Sequence, residues 1–198
     1  MAINQRNRLW VIAVAILVIV TSYLAITYNG LVKAEENVKL NWGNLQNAYQ
    51  RRLDLIPGLV TVVKGSSEYE KQTLEQLAAA RAKAQQVTLS GANASSDNYS
   101  RQEQAQAEMV GSMNRVIGLI EKYPDLQSTK SFVDLQAQLV GTERRIKVSR
   151  DDFNGAVAQY NKSVRKFPSN IAASLFTFRP KEGFQSDAGA ATPPEVKF

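Results

Sequence analysis

The chain has 198 residues, of which 44% are apolar, so it is long and apolar enough to bury a hydrophobic core. It has no histidine and no cysteine, which excludes disulfides, Cys/His zinc sites, thiol nucleophiles and imidazole catalysis. Three of the 24 bases and none of the 18 acids precede residue 34, so 21 bases face 18 acids in the rest of the chain. This nearly balanced charge does not favour nucleic-acid binding, and no cofactor is expected.

Residues 9–26 form an apolar stretch without a charged side chain. As a helix it would extend about 27 Å, enough to cross the hydrocarbon core of a bilayer. Trp10 at one end and Tyr23 and Tyr28 at the other fit interfacial aromatic anchors. We predict a retained transmembrane helix over residues 9–28. A cleaved signal peptide and a buried core helix are the less favoured alternatives, because the stretch is long, lacks a good cleavage site and is apolar all round.

The charges that flank this stretch predict its orientation. Arg6 and Arg8 precede it, whereas Lys33 after it is offset by Glu35 and Glu36. The positive-inside rule then places the short N-terminus in the cytoplasm and the large domain outside. The expected location is the cell (inner) membrane, with the domain on the periplasmic or extracytoplasmic side.

From residue 31 onward apolar residues recur every three or four positions, which is the period of amphipathic helices. We predict an all-α fold in which the N-terminal transmembrane helix is followed by an antiparallel bundle of about four long helices. The expected organisation is a cytoplasmic N-terminus at 1–8, the membrane helix at 9–28, the bundle domain at 29–182 and a disordered tail at 183–198. The stripe of the first bundle helix consists of Val38, Trp42, Leu45, Tyr49, Leu53, Ile56, Val60 and Val63.

Pro57 lies inside that first stripe. It lacks the amide that would bond the Leu53 carbonyl, so a kink or a local break is expected there. A plain break between two helices is the simpler interpretation. A kink that shapes a groove is the alternative.

Four polar residues share one face of the predicted last long helix, beside its apolar seam, at spacings of seven, four and seven: Glu143, Arg150, Asn154 and Asn161. Polar groups next to a core need partners, because an unsatisfied one costs about 1–3 kcal/mol. The expected counterparts on the first helix are Arg51, Arg52 and Asp54. We interpret the set as a network that fixes helix register, with recognition of an anionic or peptide ligand and a solvated face as alternatives.

Several short motifs occur in a recognisable order and resemble the LemA family over about residues 25–184. They are Trp42, RRLDLIPGLVTVVKG from Arg51 to Gly65, EKYPDLQS from Glu121 to Ser128, LQAQLVGTERRI from Leu135 to Ile146, and the pairs Phe153-Asn154, Tyr160-Asn161 and Phe167-Pro168. Gly58 stands where that family often has asparagine. The resemblance implies a single-pass membrane protein with a helical bundle domain and no established biochemical activity. The family that the chain resembles also includes a magnetosome-associated protein.

These observations favour a non-enzymatic, membrane-anchored scaffold or adaptor that binds other membrane or envelope proteins. A self-assembling, membrane-organising protein is the alternative, so the expected partners are the bilayer, envelope proteins and a second copy of the chain. An enzyme would need two titratable groups converging in a pocket, and the sequence offers no such pair. No metal site is expected, since there is neither an EF-hand loop nor a Glu-x-x-His motif.

Overall fold

The structure is a computed structural model that describes residues 5–64, 71–90, 96–123 and 127–184. In these ranges the chain is helical and has no strand, which confirms the predicted all-α fold. In chain order the helices are α1 (Gln5–Lys64), α2 (Lys71–Ser90), α3 (Ser96–Ile120), α4 (Lys130–Arg165) and α5 (Ser169–Leu175).

The apolar stretch near the N-terminus forms the first part of α1, and no part of its most apolar window is buried. Among the described helices, α1 is the one long and apolar enough to cross a membrane. The Thr21 hydroxyl donates a hydrogen bond to the Leu17 carbonyl at 2.9 Å, which satisfies it within the helix, as an apolar surrounding requires. The exposure of this stretch excludes a core helix of this chain, so the first part of α1 is a candidate membrane anchor.

The chain divides into two compact units. We call Met1–Val38 with Ala156–Lys181 the anchor unit, and Lys39–Gly155 with Glu182–Phe198 the bundle unit. The predicted tail over 183–198 lies outside the described residues apart from Gly183 and Phe184, and Phe184 is buried.

Neighbouring helices of the bundle unit run antiparallel. Between α1 and α2, the Arg81 Nε donates to the Leu53 carbonyl at 3.0 Å, while the Gln46 amide donates to the Thr88 carbonyl at 3.5 Å. The later residue of α2 therefore meets the earlier residue of α1. This is the arrangement that short connections between amphipathic helices favour.

Helices α2 and α3 are also antiparallel. Lys83 pairs with Glu108, and the Gln102 amide donates to the Thr88 hydroxyl at 2.8 Å. The apolar faces of α1 to α4 meet in one core, as the helical stripes predict. Its largest fully buried apolar members include Leu53, Ile56, Leu59, Leu77, Met109 and Ile120.

Pro57 does not break α1, so the expected break between two helices is wrong, whereas the alternative of a kink stays a prediction. The helix is assigned without interruption through the proline. The Leu53 carbonyl, which loses its normal helical donor at Pro57, accepts instead from the Arg81 side chain at 3.0 Å. The next residue, Gly58, faces Leu135 of α4, whose Cδ1 would lie 3.4 Å from an added Cβ. Tertiary contacts thus replace the missing bond and hold α1 together.

Candidate functional site

In the bundle unit, a buried arginine pairs with a half-exposed glutamate of the polar stripe on α4. Arg52 of α1 is 4% exposed, and its guanidinium donates to the carboxylate of Glu143 on α4. It also donates to the side-chain oxygen of Gln106 on α3 at 2.9 Å. One side chain therefore ties three helices together in register, and burial without these partners would be costly.

Arg150 lies on the same stripe but has other partners. It forms an ion pair with Glu103 of α3 at 3.2 Å. Its guanidinium carbon lies 4.9 Å from the centre of the Phe184 ring, within cation–π range. The aromatic cluster beneath it joins Phe184 to Trp42, Tyr99 and Phe153, with ring centroids 4.7–6.1 Å apart.

Asn154 holds the backbone of Phe184 by two hydrogen bonds. Its side-chain oxygen accepts from the Phe184 N–H at 2.9 Å, and its amide donates to the Phe184 carbonyl at 3.2 Å. Both backbone groups of an irregular segment are thereby satisfied next to a buried side chain. In the bundle unit, Asn154 therefore anchors the end of the described chain.

Asn161 forms the same pair of bonds within the anchor unit. Its oxygen accepts from the Lys181 N–H at 2.8 Å, and its amide donates to the Lys181 carbonyl at 2.7 Å. The Lys181 ammonium pairs with Glu35 at 3.0 Å and lies 5.5 Å from the centre of the Tyr160 ring. This clasp joins the segment after α5 to α1 and α4.

Three buried phenols of the chain hold their protons more tightly than an exposed tyrosine. Burial raises the pKa of Tyr99 to about 12. Burial also raises the pKa of Tyr49, although Arg150 and Arg52 beside it favour the ionised form. For Tyr160, burial and the neighbouring Glu35 both raise the pKa. All three phenols stay neutral near pH 7, where they act as packing groups.

The bundle unit has a groove between α1 and α4 with a volume of about 690 Å³. We call it the arginine groove, because Arg51, Arg144 and Arg145 line it. Its remaining lining consists of Asn44, Asn47, Ala48, Val148 and Ser149, with no acidic residue among the described lining. Within the described part of the chain none of the three guanidinium groups forms an ion pair. The groove therefore offers a concentrated positive charge to a ligand.

The structure separates the residues that the sequence grouped. Arg52 meets Glu143, but Arg51 points into the arginine groove, and Asp54 accepts a hydrogen bond at 2.8 Å from Gln50 on its own helix. Pro57 is exposed on α1. Among the described residues no group of three histidine, cysteine or acidic side chains lies close enough to hold a metal ion.

Sequence reasoning missed Arg144 and Arg145, although the doubled arginine in GTERRI was visible. Consecutive helical residues project about 100° apart, so two adjacent arginines cover a wide arc of surface. The sequence does not show which helix lies opposite Arg144 and Arg145, because that depends on how the helices pack; in the structure it is α1. The doubled arginine at 51 and 52 is split by the same geometry, one side chain outward and one inward.

The exposed apolar start of α1, the helical core and the basic groove together define a membrane-associated helical-bundle protein. The LemA family model matches residues 41–198, and the chain belongs to this family.

Similar proteins include magnetosome proteins of two bacteria. Magnetosome protein MamQ 2 of Paramagnetospirillum magneticum is 24% identical over 204 residues, which span 94% of this chain and 75% of that protein. Magnetosome protein MamQ of Magnetospirillum gryphiswaldense is 23% identical over 199 residues, 92% of this chain and 73% of that protein. The likeness thus extends over nearly the whole chain.

Proposed function

We propose that this LemA family protein is a non-enzymatic, single-pass membrane-anchored adaptor. Its bundle unit binds an acidic segment of another envelope protein in the arginine groove. The single observation that carries the proposal is one concave surface with three guanidinium groups that form no ion pair with any described residue. The apolar start of α1 supplies the anchor.

The chemistry of the groove supports binding rather than catalysis. Guanidinium groups are permanently charged and planar, and they bind carboxylates through two parallel hydrogen bonds. They do not exchange protons near neutral pH, so they cannot act as a general acid or base. Asn44, Asn47 and Ser149 add polar groups that can bond the backbone of a bound segment.

The polar residues beside the core have a structural role in this proposal. Arg52 and Glu143 hold α1 and α4 in register, and Arg150 ties α4 to α3. Asn154 and Asn161 hold the backbone of the chain after α5. They preserve the shape of a surface whose ligand contacts are made by Arg51, Arg144 and Arg145.

The same proposal places the protein in the cell (inner) membrane, with the N-terminus in the cytoplasm. Arg6 and Arg8 before the span support this side, since Glu35 and Glu36 offset Lys33 after it. The groove would then face partners on the extracytoplasmic side.

The test is site-specific photo-crosslinking of the full-length protein in cells. A photoreactive amino acid replaces Val148, which lines the groove and is 58% exposed, or Val140, an exposed residue of α4 outside the groove lining. We expect a discrete envelope protein to be captured from position 148 and not from position 140. The captured protein should carry an acidic segment at the crosslink.

Charge reversal supplies the matched control. In the Arg144→Glu/Arg145→Glu variant capture from position 148 should be lost, while Lys147→Glu, an exposed α4 residue outside the groove lining, should leave it intact. Capture that persists in the double variant would contradict the proposal. Crosslinks only between copies of this chain, in large particles, would favour self-assembly of a membrane-organising protein instead.

A further inference from the structure

Helix α5 of the anchor unit exposes an apolar face that the adaptor role does not use. Ile171 and Leu175 are four residues apart on one face of the helix and are 59% and 63% exposed. Phe167, two residues before the helix begins, is 73% exposed. The opposite side of the helix holds Ala172 and Ala173, which are buried. Clustered exposure of large apolar side chains marks a contact surface in soluble and membrane proteins alike.

The same helix is attached to the end of the apolar stretch of α1. Phe176, directly after α5, meets the Tyr28 ring edge-on at 4.9 Å, and Phe178 meets it at 5.8 Å. A shallow and mainly apolar hollow of about 330 Å³ lies between Phe176 and residues 21–29 of α1. Tyrosine at the end of a membrane span marks the headgroup level. The Tyr28 contacts therefore place the α5 segment beside the end of the predicted span.

The segment that contains α5 is positively charged. Residues 156–181 contain five basic residues and no acidic one: Lys162, Arg165, Lys166, Arg179 and Lys181. Lys181 pairs with Glu35, whereas the other four are exposed and have no ion pair among the described residues. Apolar side chains bordered by bases are the pattern of helices that lie in the plane of an anionic membrane surface.

We propose that α5 is a second membrane contact, separate from the span and from the adaptor role. Phe167, Ile171 and Leu175 insert between the lipid chains at the bilayer interface. Lys162, Arg165, Lys166 and Arg179 bind the phosphates of anionic lipids. The occupant of this surface is the bilayer that holds the span, because the Tyr28 contacts make the α5 surface continuous with the end of the span.

The absence of cysteine allows a direct test in the full-length protein. Single variants Ile171→Cys, Leu175→Cys and Val148→Cys carry an environment-sensitive nitrobenzoxadiazole fluorophore and are reconstituted in nanodiscs containing phosphatidylcholine and phosphatidylglycerol. Val148 is the control, because it is equally exposed but lies in the bundle unit. We expect blue-shifted emission, and quenching by lipids with a doxyl group near the headgroup, at 171 and 175 but not at 148.

Two results with the single-cysteine variants would overturn this proposal. One is an emission wavelength of the fluorophore at position 175 that equals that of the water-exposed fluorophore at position 148. The other is efficient disulfide formation between two Leu175→Cys copies in one nanodisc, which would assign the face to a second copy of the chain. The Lys162→Gln/Lys166→Gln pair should weaken quenching at 175 in anionic nanodiscs, while Lys130→Gln/Lys147→Gln should not. An equal effect of both pairs would contradict lipid binding by these bases.

Discussion

Arg51 and Arg52 are consecutive, yet their environments are opposite. Arg52 is buried and bound by Glu143 and Gln106, while Arg51 lines an open groove. A helix separates neighbouring side chains by about 100°, so the same residue type becomes a structural tie at one position and a candidate ligand contact at the next. Residue identity alone does not distinguish these two roles.

Substitution of the two arginines should separate these roles. Arg52→Met leaves Glu143 and Gln106 without their partner, and we expect it to lower the free energy of unfolding by about 1.5–3 kcal/mol. Arg51→Met should change it by less than about 0.5 kcal/mol, because its side chain is exposed. Urea denaturation of the full-length protein in mild detergent, followed by circular dichroism, measures both. Equal losses would contradict the structural role of Arg52.

The raised pKa of Tyr99 predicts that the free energy of unfolding depends on pH in the alkaline range. Its pKa is raised to about 12 in the folded chain, against about 10 in an unfolded one. Between these values the unfolded chain releases the phenol proton and the folded chain keeps it, so stability must fall as pH rises. We expect the denaturation midpoint to decrease from pH 9 to pH 11.

The matched variant is Tyr99→Phe. The Tyr99 hydroxyl is buried without a hydrogen-bond partner in the described structure, so its removal should be neutral or stabilising at pH 7. It should also flatten the alkaline decrease, with Tyr49 and Tyr160 accounting for what remains. A decrease of unchanged size in Tyr99→Phe would show that the Tyr99 pKa is not raised in solution.

At the scale of elements, helix α1 shows how a tertiary contact overrides a local rule. A proline inside a helix costs about 3 kcal/mol in isolation, because it removes a hydrogen bond and crowds the preceding turn. In α1 the orphaned Leu53 carbonyl accepts from Arg81 of α2. The break predicted from Pro57 is therefore absent.

Arg81→Ala tests this compensation. Loss of the donor leaves the buried Leu53 carbonyl unsatisfied, and we expect a cost of about 1–3 kcal/mol. Lys83→Ala on the same helix removes a half-exposed ion pair with Glu108 and should cost about 0–1 kcal/mol. The two denaturation curves give the comparison. If Arg81→Ala were no more destabilising than Lys83→Ala, the side chain would not be replacing the helical bond.

On the scale of the whole molecule, the two compact units contain different kinds of surface. The anchor unit has the exposed apolar stretch and the apolar face of α5, and the bundle unit has the closed core and the arginine groove. Apolar side chains favour lipid, and unpaired guanidinium groups favour anionic ligands. Our proposals therefore assign membrane attachment and partner binding to different parts of the chain.

The proposed orientation has a measurable consequence for the full-length protein. A C-terminal alkaline phosphatase fusion, which requires an extracytoplasmic location, should be active, and a C-terminal fluorescent reporter that folds only in the cytoplasm should be dark. Replacing Arg6 and Arg8 by glutamate should lower the phosphatase activity, because it removes the positive flank of the span. A bright cytoplasmic reporter on the unaltered chain would reverse the assigned orientation.

The sequence alone determined the helical class, the candidate membrane span and the family, because these depend on apolar periodicity, an uncharged stretch and ordered motifs that are local in the chain. Only the tertiary structure decided the partners of polar side chains. Arg150 meets Glu103, and Asn154 meets the backbone of Phe184, across distances in sequence that helical periodicity does not encode. A stripe of polar residues indicates which face of a helix meets other groups, whereas the packing of the neighbouring helices determines which groups those are.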